Sequence, residues 1–89
     1  MRAIVTVIGK DRVGIIAEVT ALLAENGVNV LDISQTVLQE YFTMIMLVDS
    51  SACAIPFSEL SDKLRDEGRA SGLDIRMQRE DIFNAMHRI

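Results

Sequence analysis

Two short runs constrain this chain more than any other feature: Ala-Ile-Val-Thr-Val-Ile at 3–8 and Phe-Thr-Met-Ile-Met-Leu-Val at 42–48. Both are strand-length and rich in β-branched or long apolar side chains, and both are apolar at odd and even positions alike. A strand with one wet face alternates. One that does not must be covered on both sides, so these two belong in the middle of a sheet. The first run ends at Gly9, and Gly9-Lys10-Asp11-Arg12 reads as a turn. From Val13 the period lengthens: Ile16, Val19, Leu22 and Leu23 follow helical spacing, with Glu18, Thr20 and Glu25 opposite them. Asp11 is the expected N-cap and Gly27 the expected C-cap of a helix over 12–26.

A second strand is expected over 28–38, with its alternation slipping at Leu31-Asp32-Ile33, the mark of a bulge. A short connector at 39–41 makes a hairpin with 42–48. After a loop, Pro56 opens a second helix in which Phe57, Leu60, Leu64 and Gly68 share a face through Ala70. Leu73, Ile75 and Met77 then alternate with Asp74, Arg76 and Gln78 as a half-buried strand. Ile82, Phe83, Met86 and Ile89 have helical spacing in a short tail helix over 80–89. The order β-α-β-β-α-β predicts an α+β, ferredoxin-like sandwich: a four-stranded antiparallel sheet, strands one and three central, two helices on one face, and a short C-terminal helix. At 89 residues this is one domain, core 2–79. The other sheet face is too apolar to stay wet, so either the tail helix or a second copy of the chain covers it. Homo-oligomerisation, as a dimer, is the expectation.

Composition and motifs exclude several functions. Thirteen acidic residues against nine basic, net −4, argue against a phosphate-backbone binder and so against direct nucleic-acid contact. No apolar run approaches the roughly 20 residues of a membrane helix, and the N-terminus lacks a secretory-signal pattern; a cytoplasmic location is expected. One cysteine, Cys53, and one histidine, His87, supply neither a metal site nor a nucleophile with its base, and neither is assigned a role. No catalytic residues, metal or cofactor are expected. A metallochaperone of this topology would need Cys-x-x-Cys in the first loop. An RNA-binding module would need aromatics on the central strands, where only Phe42 lies, with Tyr41 beside it. An acylphosphatase-type enzyme would need an arginine within a glycine-rich, phosphate-cradling loop, and Gly9-Lys10-Asp11-Arg12-Val13-Gly14 has the arginine without that pattern.

The first loop remains. A helix N-terminus offers unpaired N–H groups to an anion. Gly14 permits close approach, Asp11 could accept from an ammonium group, and Lys10 and Arg12 add positive charge. That combination suits a free amino acid. Helix packing by the glycine and capping by the aspartate would explain the same letters.

These residues resemble the ACT domain, a small regulatory module of amino-acid metabolism. The resemblance runs through Ile4–Val7, Gly9-Lys10-Asp11-Arg12-Val13-Gly14-Ile15 and Leu22-Leu23-Ala24-Glu25-Asn26-Gly27-Val28-Asn29-Val30, and spans residues 2–79. Asp32-Ile33-Ser34-Gln35-Thr36, Tyr41-Phe42-Thr43-Met44 and the tail Asp81-Ile82-Phe83-Asn84-Ala85-Met86 are similar to short stand-alone members formerly labelled uncharacterised, and to the ACT domains of the glycine-cleavage-system repressor. The resemblance implies pairing of domains and an amino acid held at their interface, contacted by Asp11, Val13, Gly14 and Ile15 in the loop and by Asn29, with Val30, Leu31 and Asp32 beside it. Asp11 stands where some amino-acid-binding members carry Asn. Some members only dimerise, which leaves a ligand-free interaction module as the alternative. With no attached enzyme or DNA-binding domain expected, regulation would pass through a separate protein.

Overall fold

The computed structural model describes residues 1–82. Six elements follow the expected order: β1 (Arg2–Lys10), α1 (Ile15–Glu25), β2 (Asn29–Leu38), β3 (Tyr41–Asp49), α2 (Phe57–Ala70) and β4 (Asp74–Arg79). The sheet order is β2-β3-β1-β4, every neighbour antiparallel. β1 and β3, the strands apolar on both parities, are indeed the central pair. The helix expected over 80–89 begins at 80–82, and the rest of it lies outside the described residues.

Residues paired across antiparallel strands share a face, and the register therefore sorts the side chains. Val5 pairs with Met46 and Met77, and Val7 with Met44 and Ile75. These residues, with Ala3 and Val48, are buried in one cluster with Ile15, Val19 and Leu23 of α1 and Leu60 and Leu64 of α2. Both helices therefore lie on this face. The alternate positions form the open face, where Ile4 pairs with Leu47, Thr6 with Ile45 and Ile8 with Thr43. Ile8 and Ile45 remain 46% and 42% exposed there.

Both long helices end in the same way. At α1, Asn26 closes the last turn, the Gly27 N–H donates to the Ala24 carbonyl, and the Val28 N–H donates to that of Leu23 at 2.9 Å. At α2, Gly72 donates to Arg69 and Leu73 to Gly68 at 2.8 Å. These are Schellman closures, which need a left-handed residue after the cap. Gly27 (φ 73°) and Gly72 (φ 77°) supply it. The following residue, Val28 or Leu73, is buried, so each closure also delivers the chain into the core.

The start of α1 differs from expectation. The helix begins at Ile15, its N-cap is Gly14 at φ 91°, and no side chain caps it. Asp11 stands three residues before the N-cap and makes no capping hydrogen bond. Its own N–H is held elsewhere, donating to the Glu40 carbonyl at 2.7 Å. Pro56 sits just outside α2 as the N-cap, with its carbonyl accepting the Leu60 N–H.

The two closures differ in crowding, and that difference is measurable. A Cβ on Gly27 would lie 2.7 Å from the Ala52 carbonyl oxygen, whereas one on Gly72 would meet nothing within 4 Å. Gly72→Ala should cost about 1–2 kcal/mol, the strain of a left-handed L-residue. Gly27→Ala should cost that plus an overpacking penalty of roughly 1–3 kcal/mol. Urea denaturation of the two variants checks the order; equal losses would contradict it.

Candidate functional site

The bulge in β2 decides what faces the helices at this edge. Val30 pairs with Val48 on the helix side, and the register then shifts by one residue between Val30 and Asp32. Beyond it Ile33, Gln35 and Val37 pair with Met46, Met44 and Phe42, so these three turn toward the helix layer. Asp32, Ser34 and Thr36 turn to the open face. Without the extra residue the two sets would exchange.

α1 only partly overhangs β2, so Ile33 and Val37 stay 40% and 49% exposed. The gap is a groove of about 520 Å³, within the roughly 300–1,000 Å³ range of small-molecule sites. One wall is the loop and the first turn of α1: Asp11, Arg12, Gly14, Ile15, Ile16 and Ala17. The other is Gln35, Val37 and Phe42. The lining is largely apolar, with a carboxylate and an amide set into it. Neither the Asp11 carboxylate nor the Gln35 amide has a side-chain hydrogen bond or ion pair among the described residues.

The helix terminus adds a third polar feature. The first helical hydrogen bond runs from the Glu18 N–H to the Gly14 carbonyl at 2.9 Å. The amides of Ile15, Ile16 and Ala17 precede it, no side chain caps them, and all three residues border the groove. Arg12, expected to add positive charge here, instead directs its guanidinium to Glu18 at 2.7 Å and to the Ser71 carbonyl at 3.3 Å. Its charge is thereby offset, and the loop is tied to the end of α2. Hydrogen bonds from the Ser71 hydroxyl and from Arg12 hold the Glu18 carboxyl below the usual glutamate range.

Of the residues singled out from the sequence, Asp11, Gly14 and Ile15 line this groove. Val13 stands at the loop apex, 100% exposed. Asn29, Val30, Leu31 and Asp32 occupy the opposite end of β2, beside Asp49 and Leu47. From Asn29 to Gln35 is about 20 Å along the strand. Within one chain, the loop and Asn29 therefore do not meet. Gln35, Val37 and Phe42 escaped the sequence reading. The signal was present for the first two, because the slip at 31–33 sets their parity. Among the described residues, no group of three or more His, Cys, Asp or Glu is placed to hold a metal ion. Cys53 is a half-buried free thiol packed against the core from the 50–55 loop.

A βαββαβ sheet with a glycine-turned loop opening beside an edge strand is a ferredoxin-like architecture that commonly serves as a ligand-binding regulatory module. The sequence model of the ACT domain matches residues 2–78, and the chain belongs to that family. It is 54% identical to a UPF0237 protein of Clostridium acetobutylicum over 89 residues, the whole of both chains. An ACT domain protein from Streptococcus pneumoniae superposes with a TM-score of 0.83 at 45% identity, covering 98% of each chain. A putative glycine cleavage system transcriptional repressor superposes with a TM-score of 0.72 at 27% identity, over 86% of this chain and 44% of that one. The stand-alone UPF0237 group and the repressor are thus both close in form, as the sequence motifs imply.

The Glu18 contact makes the loop anchor testable by titration. In the folded chain Glu18 should ionise below the ordinary glutamate value, and Ser71→Ala or Arg12→Ala should move its midpoint upward. A folded-state value below the unfolded one means that the contact favours folding above the unfolded value. That contribution is lost as pH falls through the folded value. Carbon-detected NMR titration of the Glu18 carboxyl reads this directly; an unmoved midpoint in both variants would remove the anchor.

Proposed function

We propose that this chain is a non-catalytic, cytoplasmic regulatory module, one domain over 1–89, that binds a small amino acid between two copies of itself. The observation that carries the reading is the groove at the start of α1. There an uncommitted Asp11 carboxylate lines the same groove as Ile15, Ile16 and Ala17, whose amides no side chain caps. A free amino acid presents the matching pair of charges, its ammonium to Asp11 and its carboxylate to the amides of Ile15–Ala17.

The placement of Asn29–Asp32 supports the two-copy part. β2 starts beside Asp49 and ends beside Tyr41, the end from which the Asp11–Gly14 loop departs. Two β2 edges joined antiparallel about a twofold axis would carry each copy's Asn29–Asp32 toward the other copy's loop. β2 also suits such pairing. All its residues but Val30 are exposed, and in ten residues it carries one charge, Asp32. β4, the other edge, carries Asp74, Arg76 and Arg79 in six, which discourages self-pairing. Binding favours the joined state only by the difference in affinity between joined and separate copies. Any output would pass through a separate protein.

Calorimetry or thermal shift against the twenty amino acids at millimolar concentration tests the ligand. At 100-fold excess over Kd, a binder adds about 2.7 kcal/mol. In a domain this small, that raises Tm by roughly 10 °C or more. Asp11→Ala should abolish the effect, and sedimentation should show the amino acid promoting dimers. No stabilisation by any of the twenty would end the ligand claim.

The partly exposed apolar stripe on the open sheet face favours a second reading, a ligand-free assembly module. Ile4, Ile8, Ile45 and Leu47 run along the two central strands there. On that reading Ile45→Glu dissociates the oligomer, while Asp11→Ala and Asn29→Ala leave it intact. Size-exclusion chromatography of the three variants separates the two proposals.

A further inference from the structure

The sheet has a second open edge, and its surroundings differ in kind from those of β2. Among the described residues, β4 is paired with β1 on one side only. Above its free margin α2 lays Ser61, Arg65 and Arg69, at spacings i, i+4 and i+8, along one side of a groove of about 690 Å³. Ile75 and Met77 pair with Val7 and Val5 and turn into the core, so Asp74, Arg76 and Gln78 turn to the opposite face. The free edge of β4 is thus flanked by Arg65 and Arg69 on the helix side and by Arg76 on the other. Three arginines against the single carboxylate of Asp74 line this groove, in a chain whose net charge is −4.

These arginines are available. The Arg69 guanidinium has no hydrogen bond or ion pair among the described residues. Arg65 is divided between Asp62 at 3.1 Å and Asp66 at 3.6 Å, and Arg76 meets Asp74 at 3.2 Å, all on exposed side chains. Exposed pairs of this kind are weak and exchange readily. A strand margin that no second strand pairs among the described residues, beside exposed arginines held at most by weak ion pairs, fits an extended peptide with acidic side chains.

We propose that the β4 edge accepts an extended acidic peptide segment of another protein as a fifth strand, with its carboxylates meeting Arg65 and Arg69 on one face and Arg76 on the other. The six residues of β4 set the length of the segment at about six. A second copy of this edge fits poorly, because it would bring another set of three arginines, with one carboxylate, against the same groove. A nucleic acid would meet the same arginines but has no main-chain groups to continue the sheet, and the chain's overall charge repels it. The proposal does not depend on the amino-acid site, since β2 lies at the other margin.

The test uses the full chain and a capped, fluorescein-labelled Glu-Val-Glu-Val-Glu-Val peptide. Anisotropy should show saturable binding that weakens with salt. Amide shifts in NMR should concentrate on 74–79 and on Arg65 and Arg69. Arg69→Glu should weaken binding by roughly tenfold while Arg69→Lys keeps most of it. A backbone N-methylated peptide of the same charge should fail to bind. The proposal is overturned by no binding at millimolar peptide, or by shifts that map to β2. Undiminished affinity in Arg69→Glu, or equal affinity for the N-methylated peptide, for a Lys-Val peptide or for a six-nucleotide oligothymidylate, would overturn it as well.

Discussion

Everything in this fold hangs on β1. It is paired along both margins, with nine residues in register with β3 and six with β4. Its inward side chains Ala3, Val5 and Val7 are completely buried. A strand held on both edges and pressed from one face by two helices has no freedom to slip, because a shift of one residue would move all three valine and alanine side chains out of the core. The loop after β1 therefore leaves the sheet at a determined point. The Asp11 N–H on the Glu40 carbonyl and the Arg12 guanidinium on Glu18 and Ser71 hold it there.

The sheet margins are left with different tasks. At β2 a single extra residue turns Ile33, Gln35 and Val37 toward an incompletely covering helix, and a groove opens where a longer or closer α1 would have closed it. At β4 the helix sits close, because residue 68 has no side chain; a Cβ there would lie 2.8 Å from the Ile75 side chain. The arginines of α2 are thereby brought over the strand's free margin. One edge is bare and nearly uncharged, the other is lined by cations. The contrast arises from helix placement more than from the strands themselves.

How far the sequence made this legible varies by element. The central position of β1 and β3 followed from apolar residues on both parities, and the bulge from one break in alternation at 31–33. Both are local patterns of side-chain type, and the structure keeps them. The capping role expected of Asp11 failed because α1 begins only at Ile15, with Gly14 as its N-cap, in a turn held by the Asp11 N–H on the Glu40 carbonyl of a segment far away in the chain. The groove residues on β2 and β3 were missed for a related reason. Val37 and Phe42 look like ordinary core positions until the reach of α1 is known.

The order of elements, the choice of central strands, the glycines that end both helices and the location of the bulge were determined by the sequence alone. Each depends on the conformational preferences of a few neighbouring residues. Only the tertiary structure decided that Asp11 does not cap α1 and is uncommitted, that the Arg12 guanidinium is engaged by Glu18 and Ser71, and that Asn29 lies at the far end of the sheet from Gly14. It also decided which sheet edge is lined by arginine. Those outcomes depend on where long-range packing sets one element against another, and no window of sequence contains that distance.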